Sequence, residues 1–166
     1  MRFETKQNLK ILINKAIELG HPYVALAIEL DDYLCQRPAD VLKLRKSDIY
    51  QKGDNYFINF TQNKTKEEMR LPIPKHLIPQ LMAQDDYLIT DDYGPFTVNR
   101  FAKYFRIVRD ACGFKYTFKL MRHTGGTAIM FTGHKEERIF NEVYKSPTER
   151  MGLNTLKKRL EAEKEQ

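Results

Sequence analysis

Two permanently charged side chains, Lys119 and Arg122, stand three residues apart in the second half of the chain. The apolar residues around them follow helical spacing, and residues three apart on a helix share a face. Neighbouring cations repel each other, and Gly125 and Gly126 add a backbone entropy cost, so the pair predicts an anionic partner. A phosphate group meets that requirement. A solvated charged face is the alternative that this pair alone leaves open.

The segment around this pair resembles the second signature box of the tyrosine recombinases, the phage integrase family. That box reads His or Lys, two variable residues, then Arg-His-Thr, and Lys119, Arg122, His123 and Thr124 match it. The resemblance implies a phosphate clamp that contains Lys119 and Arg122, with His123 as a further DNA contact. Because four matching residues are weak support alone, the other boxes of the family decide the prediction.

Arg37 falls where the same family has its first catalytic arginine. The family pattern is Gly-x-Arg with an acidic residue three positions later, and Arg37 and Asp40 match it, with Gln36 where small or apolar residues are common. Pro38 suits the first turn of a helix, so Arg37 is predicted at a helix N-terminus, where backbone N–H groups and the dipole favour an anion. The alternative is a structural ion pair between Arg37 and Asp40.

Alternating apolar residues predict a β-hairpin over residues 56–73, with a polar and basic tip at residues 62–66. In the family such a hairpin carries the catalytic lysine before a threonine. The resemblance therefore implies this role for Lys64, which Thr65 follows, and Lys66 is the competitor and a candidate DNA contact. A lysine in a turn is otherwise a solubilising residue.

Basic residues are concentrated over residues 100–122, which contain seven lysines and arginines and one acidic residue. Phe101, Phe105 and Val108 form a helical stripe there. The opposite side of this helix carries three cations, Arg100, Lys103 and Arg106. Such a helix is suited to following a DNA backbone, and an ordinary exposed face is the alternative.

The chain departs from the family at two positions. Where the family has Leu-Gly-His-x-Ser, this chain has Val143-Tyr144-Lys145-Ser146, so the glycine and the histidine are replaced. Lys145 offers a phosphate only a point charge. The nucleophilic tyrosine is expected about two and a half helical turns later. Counting on from Lys145 leads to Leu153 or Asn154, and Asn154 is taken as the expected position. A looser alignment leads to Met151. None of them forms a phosphotyrosine-type link, and Tyr144, the last tyrosine, stands at the level of the histidine.

Other segments predict the surrounding elements. A helix is expected from a cap at Thr5 to Gly20, with Ile17 completing its apolar stripe, and a more central helix over residues 23–35. A short helix after Pro74 and a brief strand at residues 87–89 precede a turn at residues 93–95.

Length and composition predict one domain in a reducing compartment. The chain has 166 residues, a net charge of +6 and two cysteines without metal-ligand spacing. It has no signal peptide and no apolar run long enough for a membrane span, so we expect no membrane partner. These features predict a cytoplasmic, nucleoid-associated protein of a bacterium, an archaeon or a phage-infected cell. The basic balance favours a polyanionic partner.

The resemblance implies an α+β fold that is mainly helical, the tyrosine recombinase catalytic-domain fold, with a small antiparallel sheet at one edge. It implies a single domain over residues 1–166, with a core over residues 5–145 and a C-terminal helix over residues 148–163. We expect no counterpart of the family's N-terminal clamp domain in this sequence, which makes the chain either a fragment or a catalytic-domain-only relative. Double-stranded DNA is the expected partner, no metal or other cofactor is required, and the C-terminal helix is expected to dock onto a neighbouring protomer.

Three functions follow from these features. The first is a site-specific recombinase domain that acts in DNA integration and whose nucleophile is lost, displaced or engineered away. The second is a non-catalytic accessory module that binds DNA through the same cations. The third is a protein-interaction domain, which the basic face argues against.

Overall fold

The computed structural model describes the backbone of residues 2–115 and 149–164. The helices in these ranges are α1 (Arg2–Glu18), α2 (Pro22–Leu34), α3 (Pro38–Val41), α4 (Ile78–Met82), α5 (Val98–Ala111) and α6 (Glu149–Lys164). The strands are β1 (Ile49–Lys52), β2 (Asn55–Thr61), β3 (Glu68–Ile73), β4 (Thr90–Asp91) and β5 (Gly94–Pro95). The described part is therefore mainly helical with a small antiparallel sheet, as predicted.

The hydrophobic core is organised around α2, which lies against α1, α5 and β3. Its apolar residues are buried around most of the helix, which confirms the predicted central position: Val24, Ala25, Leu26, Ala27, Ile28, Leu30 and Leu34. α1 begins at Arg2, so Thr5 lies inside the helix and the predicted cap there is wrong. Ile17 is 56% exposed, because α1 packs through Leu9, Leu12 and Ala16 only on one side.

Strands β1, β2 and β3 form an antiparallel sheet in that order. Ile58 of β2 lies opposite Leu71 of β3, and both side chains are buried against the helices, as the alternating pattern predicted. On the other face, the ring of Phe57 stacks on that of Tyr50 with 5.4 Å between centroids. The sheet thus fixes the direction in which the β2–β3 hairpin leaves the core.

The strand predicted at residues 87–89 is absent from the described part of the chain. Tyr87 forms one isolated bridge with Arg45, and the two-residue strands β4 and β5 follow. Leu88 and Ile89 are both buried, so their apolar character reflects core packing and not a strand. The turn predicted at residues 93–95 lies at residues 92–93, and Gly94, which has a positive φ of 100°, already belongs to β5.

Helix α6 is docked on its own chain. Arg159 is 2% exposed, its guanidinium forms an ion pair with Asp32, and its Nε donates to Glu163 Oε1 at 2.9 Å. The guanidinium also lies 3.7 Å from the centroid of the Tyr33 ring. Burial raises the pKa of Tyr33, so this ring stays neutral against the cation. Of the three consecutive basic residues of this helix, the structure buries Arg159 and leaves Lys157 and Lys158 exposed.

Neither cysteine is in a disulfide. Cys35 is buried and Cys112 packs against the core, so both serve as small core residues. Among the helices that the structure describes, none is both long and apolar enough to cross a bilayer.

We expect Arg159→Ala to lower the free energy of unfolding by about 2–3 kcal/mol, because the carboxylates of Asp32 and Glu163 then lose their buried cation. Lys158→Ala is the matched control, since Lys158 is an exposed neighbour on the same helix and its loss should cost no more than about 0.5 kcal/mol. Urea denaturation of both variants measures the difference. Equal losses for the two variants would contradict the structural role of Arg159.

Candidate functional site

The hairpin between β2 and β3 ends in a closed turn, residues 62–67, which we call the tip loop. The Gln62 N–H donates to the Glu67 carbonyl at 2.9 Å, and the Lys66 N–H donates to the Gln62 carbonyl at 3.0 Å. Lys66 has a φ of 61°, the left-handed conformation that four-residue hairpin turns need near their end. The backbone of Lys66 thus closes the turn, and Lys64 stands in its middle.

A buried pair of glutamines holds the tip loop against the start of α3. Gln62 Nε2 donates to Gln36 Oε1 at 2.7 Å, and Gln36 Nε2 donates to the Leu34 carbonyl at 2.8 Å. The Thr65 hydroxyl donates to Gln62 Oε1 at 2.6 Å. Gln36 is 1% exposed and Gln62 is 8% exposed, so both amides depend on these partners in place of water.

Asp40 provides a second connection to the tip loop. Its Oδ1 accepts the Asn63 N–H at 2.7 Å, and Lys43 Nζ lies 3.8 Å from the same oxygen. Asp40 is 1% exposed, and its Oδ2 has no hydrogen-bond partner in the described part of the chain. Since the ion pair of Asp40 there is with Lys43, the described contacts do not support the alternative of an Arg37–Asp40 pair.

Arg37 lies directly before α3, as predicted, with Pro38 in the first turn. Cys35, in the glycine position of the family pattern, has a φ of 54° and turns the chain from α2 towards Arg37. However, α3 has only four residues, so the expected contribution of a helix dipole to anion binding is small. The sequence pattern located the helix start correctly.

Two cations without a side-chain partner in the described residues therefore lie on adjoining elements. Arg37 is half-buried and follows Gln36, while Lys64 is exposed and follows Asn63. The glutamine pair and the Asn63–Asp40 hydrogen bond join these two elements. Like charges that come close repel each other, and an anion that contacts both would offset this repulsion.

The structure separates the three basic residues predicted on α5. Phe101, Phe105 and Val108 are buried as expected, and Lys103 and Arg106 are exposed. Arg100 instead forms an ion pair with Asp91, and its guanidinium lies 4.2 Å from the centroid of the Phe96 ring. Sequence reasoning missed this anchoring role, whose only signal is the acidic pair Asp91-Asp92 beside the turn. A phosphate contact by Arg100 stays a prediction.

Several predicted site residues lie outside the described residues: Lys119, Arg122, His123, Tyr144 and Lys145. Among the candidates for the nucleophile position, Asn154 is exposed on α6 and Leu153 is half-buried. The convergence of the second signature box on Arg37 and Lys64 thus remains a prediction.

A separate cavity of 310 Å³ lies where α1, α2 and α6 meet. Its lining includes three carboxylates, Glu29, Asp32 and Glu163, together with Lys10 and His76. Burial raises the pKa of Glu29, and the charge of His76 opposes that shift. The acidic character of this cavity disfavours phosphate, in contrast to the cations at the tip loop. Nowhere in the described ranges do three His, Cys, Asp or Glu side chains form a group that could hold a metal ion.

No protein-family model and no curated protein sequence matches this chain. Solved structures do resemble it. A lambda integrase dimer bound to a COC′ core site aligns with a TM-score of 0.68 at 18% identity, over 86% of this chain and 56% of that one. The lambda integrase catalytic core aligns with a TM-score of 0.62 at 18% identity, over 84% and 88%. XerA recombinase aligns with a TM-score of 0.62 at 16% identity, over 91% and 56%.

The fold shared by these structures is that of the tyrosine recombinase catalytic domain, and this chain has it, as the sequence resemblance implied. The chain spans about half the length of the lambda integrase chain in two matching dimer structures. It spans 88% of the lambda integrase catalytic core.

We expect Arg100→Gln to destabilise the protein by about 1–2 kcal/mol, because Asp91 loses its partner and the Phe96 ring loses its cation. Arg106→Gln, on the same helix and exposed, should change stability by less than about 0.5 kcal/mol. Thermal and urea unfolding of the two variants measure this contrast. If Arg106→Gln proves as destabilising as Arg100→Gln, the anchoring role of Arg100 is wrong.

Proposed function

We propose that this chain is the DNA-binding catalytic-type domain of a site-specific recombinase that acts in DNA integration or recombination, with impaired strand cleavage. The observation that carries the proposal is the pair of cations, Arg37 and Lys64, held on adjoining elements without a side-chain partner among the described residues. The fold supports it, since the similar lambda integrase structures include a dimer bound to a core site and a tetramer bound to a Holliday junction.

In this proposal the cations act on one phosphodiester group. Arg37 and Arg122 hold its non-bridging oxygens as negative charge develops, and one such donor is worth about 10²–10³ in rate. Lys64 protonates the leaving 5′-oxygen, while Lys119 and Lys145 add to the clamp. The chemistry of these residues requires neither a metal nor another cofactor.

Lys64 is a better candidate for this role than Lys66. Its neighbour Asn63 donates its N–H to Asp40, three residues after Arg37, so Lys64 stands beside the connection to the first box. Lys66 closes the turn in the left-handed conformation, next to the start of β3. We assign Lys66 to a DNA backbone contact.

The basic face of α5 extends the proposed DNA contact. Lys103 and Arg106 are exposed there and suited to phosphate contacts along the duplex, with Arg100 and His123 as further candidates. We also propose that copies of the chain assemble on DNA through the exposed side of α6, because its opposite side is occupied by the ion pairs of Arg159. Such a protein would work in the cytoplasm, at the nucleoid.

A second candidate function is an accessory module that binds DNA without cutting it. Asn154 supports this alternative, because it stands exposed at the expected nucleophile position and an amide cannot carry out that reaction. The two candidates share the phosphate clamp and differ only in whether a covalent intermediate forms.

We expect the affinity for duplex DNA to fall with salt, with a log–log slope of about −0.9 for each phosphate neutralised. Arg37→Ala should reduce the magnitude of that slope by about one and weaken binding roughly tenfold, and Arg37→Ala combined with Arg122→Ala should weaken it further. Lys10→Ala removes a cation at the acidic cavity and should leave both quantities unchanged. Fluorescence anisotropy at several salt concentrations measures this, and unchanged affinity of the double variant would place the DNA elsewhere.

A nicked suicide substrate tests the chemistry. A covalent protein–DNA adduct on a denaturing gel would support the recombinase, and retained binding without an adduct would support the accessory module. Because no tyrosine occupies the expected position, we expect little or no adduct. An adduct that Tyr144→Phe abolishes would identify Tyr144 as the nucleophile and contradict the predicted impairment. An adduct that survives this substitution would contradict it as well and point to another nucleophile.

A further inference from the structure

We propose that Gln36 and Gln62 are positioning residues of the proposed phosphate site: their side-chain hydrogen bond sets where the tip loop presents Lys64 relative to Arg37. The inference rests on the proposed function, since it assigns these glutamines a part in phosphate contact. Neither residue touches the phosphate in this proposal, and both act through the cations that follow them in the chain.

The bonding of the two amides supports a positional role. Gln36 uses its Oε1 towards Gln62 and its Nε2 towards the Leu34 carbonyl, and Gln62 Oε1 accepts the Thr65 hydroxyl. Burying amides costs free energy that two apolar side chains of similar size would not incur. The amides instead fix geometry, because a hydrogen bond between buried groups holds its donor and acceptor at a defined distance and angle.

The hydrogen bond between the two glutamines constrains the backbone beside both cations, because each glutamine is close to one of them in the chain. Gln36 directly precedes Arg37, whose backbone lies at the start of α3. Gln62 stands two residues before Lys64, so the Cα atom of Lys64 lies within about 7 Å of that of Gln62. The Asn63–Asp40 hydrogen bond alone would join the loop to α3 at one point, whereas the two bonds together join it at two.

A role of the two glutamines in stability alone and a role in positioning Lys64 lead to different expected results. If the glutamines only stabilise the fold, a variant that restores stability also restores the phosphate contacts. If they position Lys64, removing the pair costs the contact of that lysine even though the lysine is still present. The salt dependence of DNA binding separates the two cases, because its slope counts phosphate contacts.

The test uses the double variant Q36L/Q62L, which removes both amides together, so neither is left buried without the other. The Leu34 carbonyl and the Thr65 hydroxyl each lose one hydrogen bond. We expect a cooperative unfolding transition and exchange of the Asn63 amide proton at least tenfold faster than in the wild type, measured by NMR. The magnitude of the salt slope for duplex binding should fall by about one. Lys64→Ala should lower it by about one in the wild type and by nothing further in Q36L/Q62L.

Lys103→Ala is the matched control, because Lys103 lies on α5 and should lower the slope equally in both backgrounds. Should Q36L/Q62L fail to fold, Gln62→Asn serves the same purpose: it keeps an amide but is one methylene too short to reach Gln36. The same exchange and slope measurements apply to it.

Unchanged Asn63 exchange in the variant, or a slope that stays at the wild-type value, would overturn the inference. A wild-type protein without salt-dependent duplex binding would instead refute the proposed function, and the Asn63 exchange rate would then still decide whether the glutamines hold the loop. The two failures are therefore distinguishable.

Discussion

Two hydrogen bonds between the tip loop and the chain around α3 are the constraint on which the candidate site depends. One joins Gln62 to Gln36, and the other joins the Asn63 N–H to Asp40. Arg37 and Lys64 would otherwise separate, because two cations repel and a hairpin tip is intrinsically mobile. Folding therefore joins the two segments that carry these charges, so a ligand that binds there does not have to order the loop itself.

The C-terminal helix supports the same hairpin from its other end. A Cβ atom at Gly152 of α6 would lie 2.8 Å from Cδ of Pro72 in β3, so only glycine allows this approach. Arg159 then fastens the helix to Asp32 at the end of α2. Strand β3, which leads out of the tip loop, is thus packed against α6 near its end. This packing stabilises the base of the hairpin that carries the tip loop.

The lysines and arginines of this protein have different structural roles, which residue type alone does not reveal. Arg159 is buried in a structural ion pair, and Arg100 fastens α5 to the β4–β5 turn. Arg106 and Lys64 are exposed without a side-chain partner in the described residues. Net charge and local charge density indicated a polyanion as partner, but only the geometry tells which cations have carboxylates of their own and which remain for a ligand.

The sequence by itself determined the helices with clear periodicity, the hairpin with its basic tip, and the class of fold. Each of these depends on local spacing or on the order of short motifs, and both can be read along the chain. The burial of Gln36 and Gln62 was decided by tertiary structure, because a hydrogen bond across 26 residues leaves no local pattern. The same holds for Arg159, whose partner Asp32 is 127 residues away. A polar side chain is buried only where the fold supplies its partner, and that partner is known only once distant segments have been brought together.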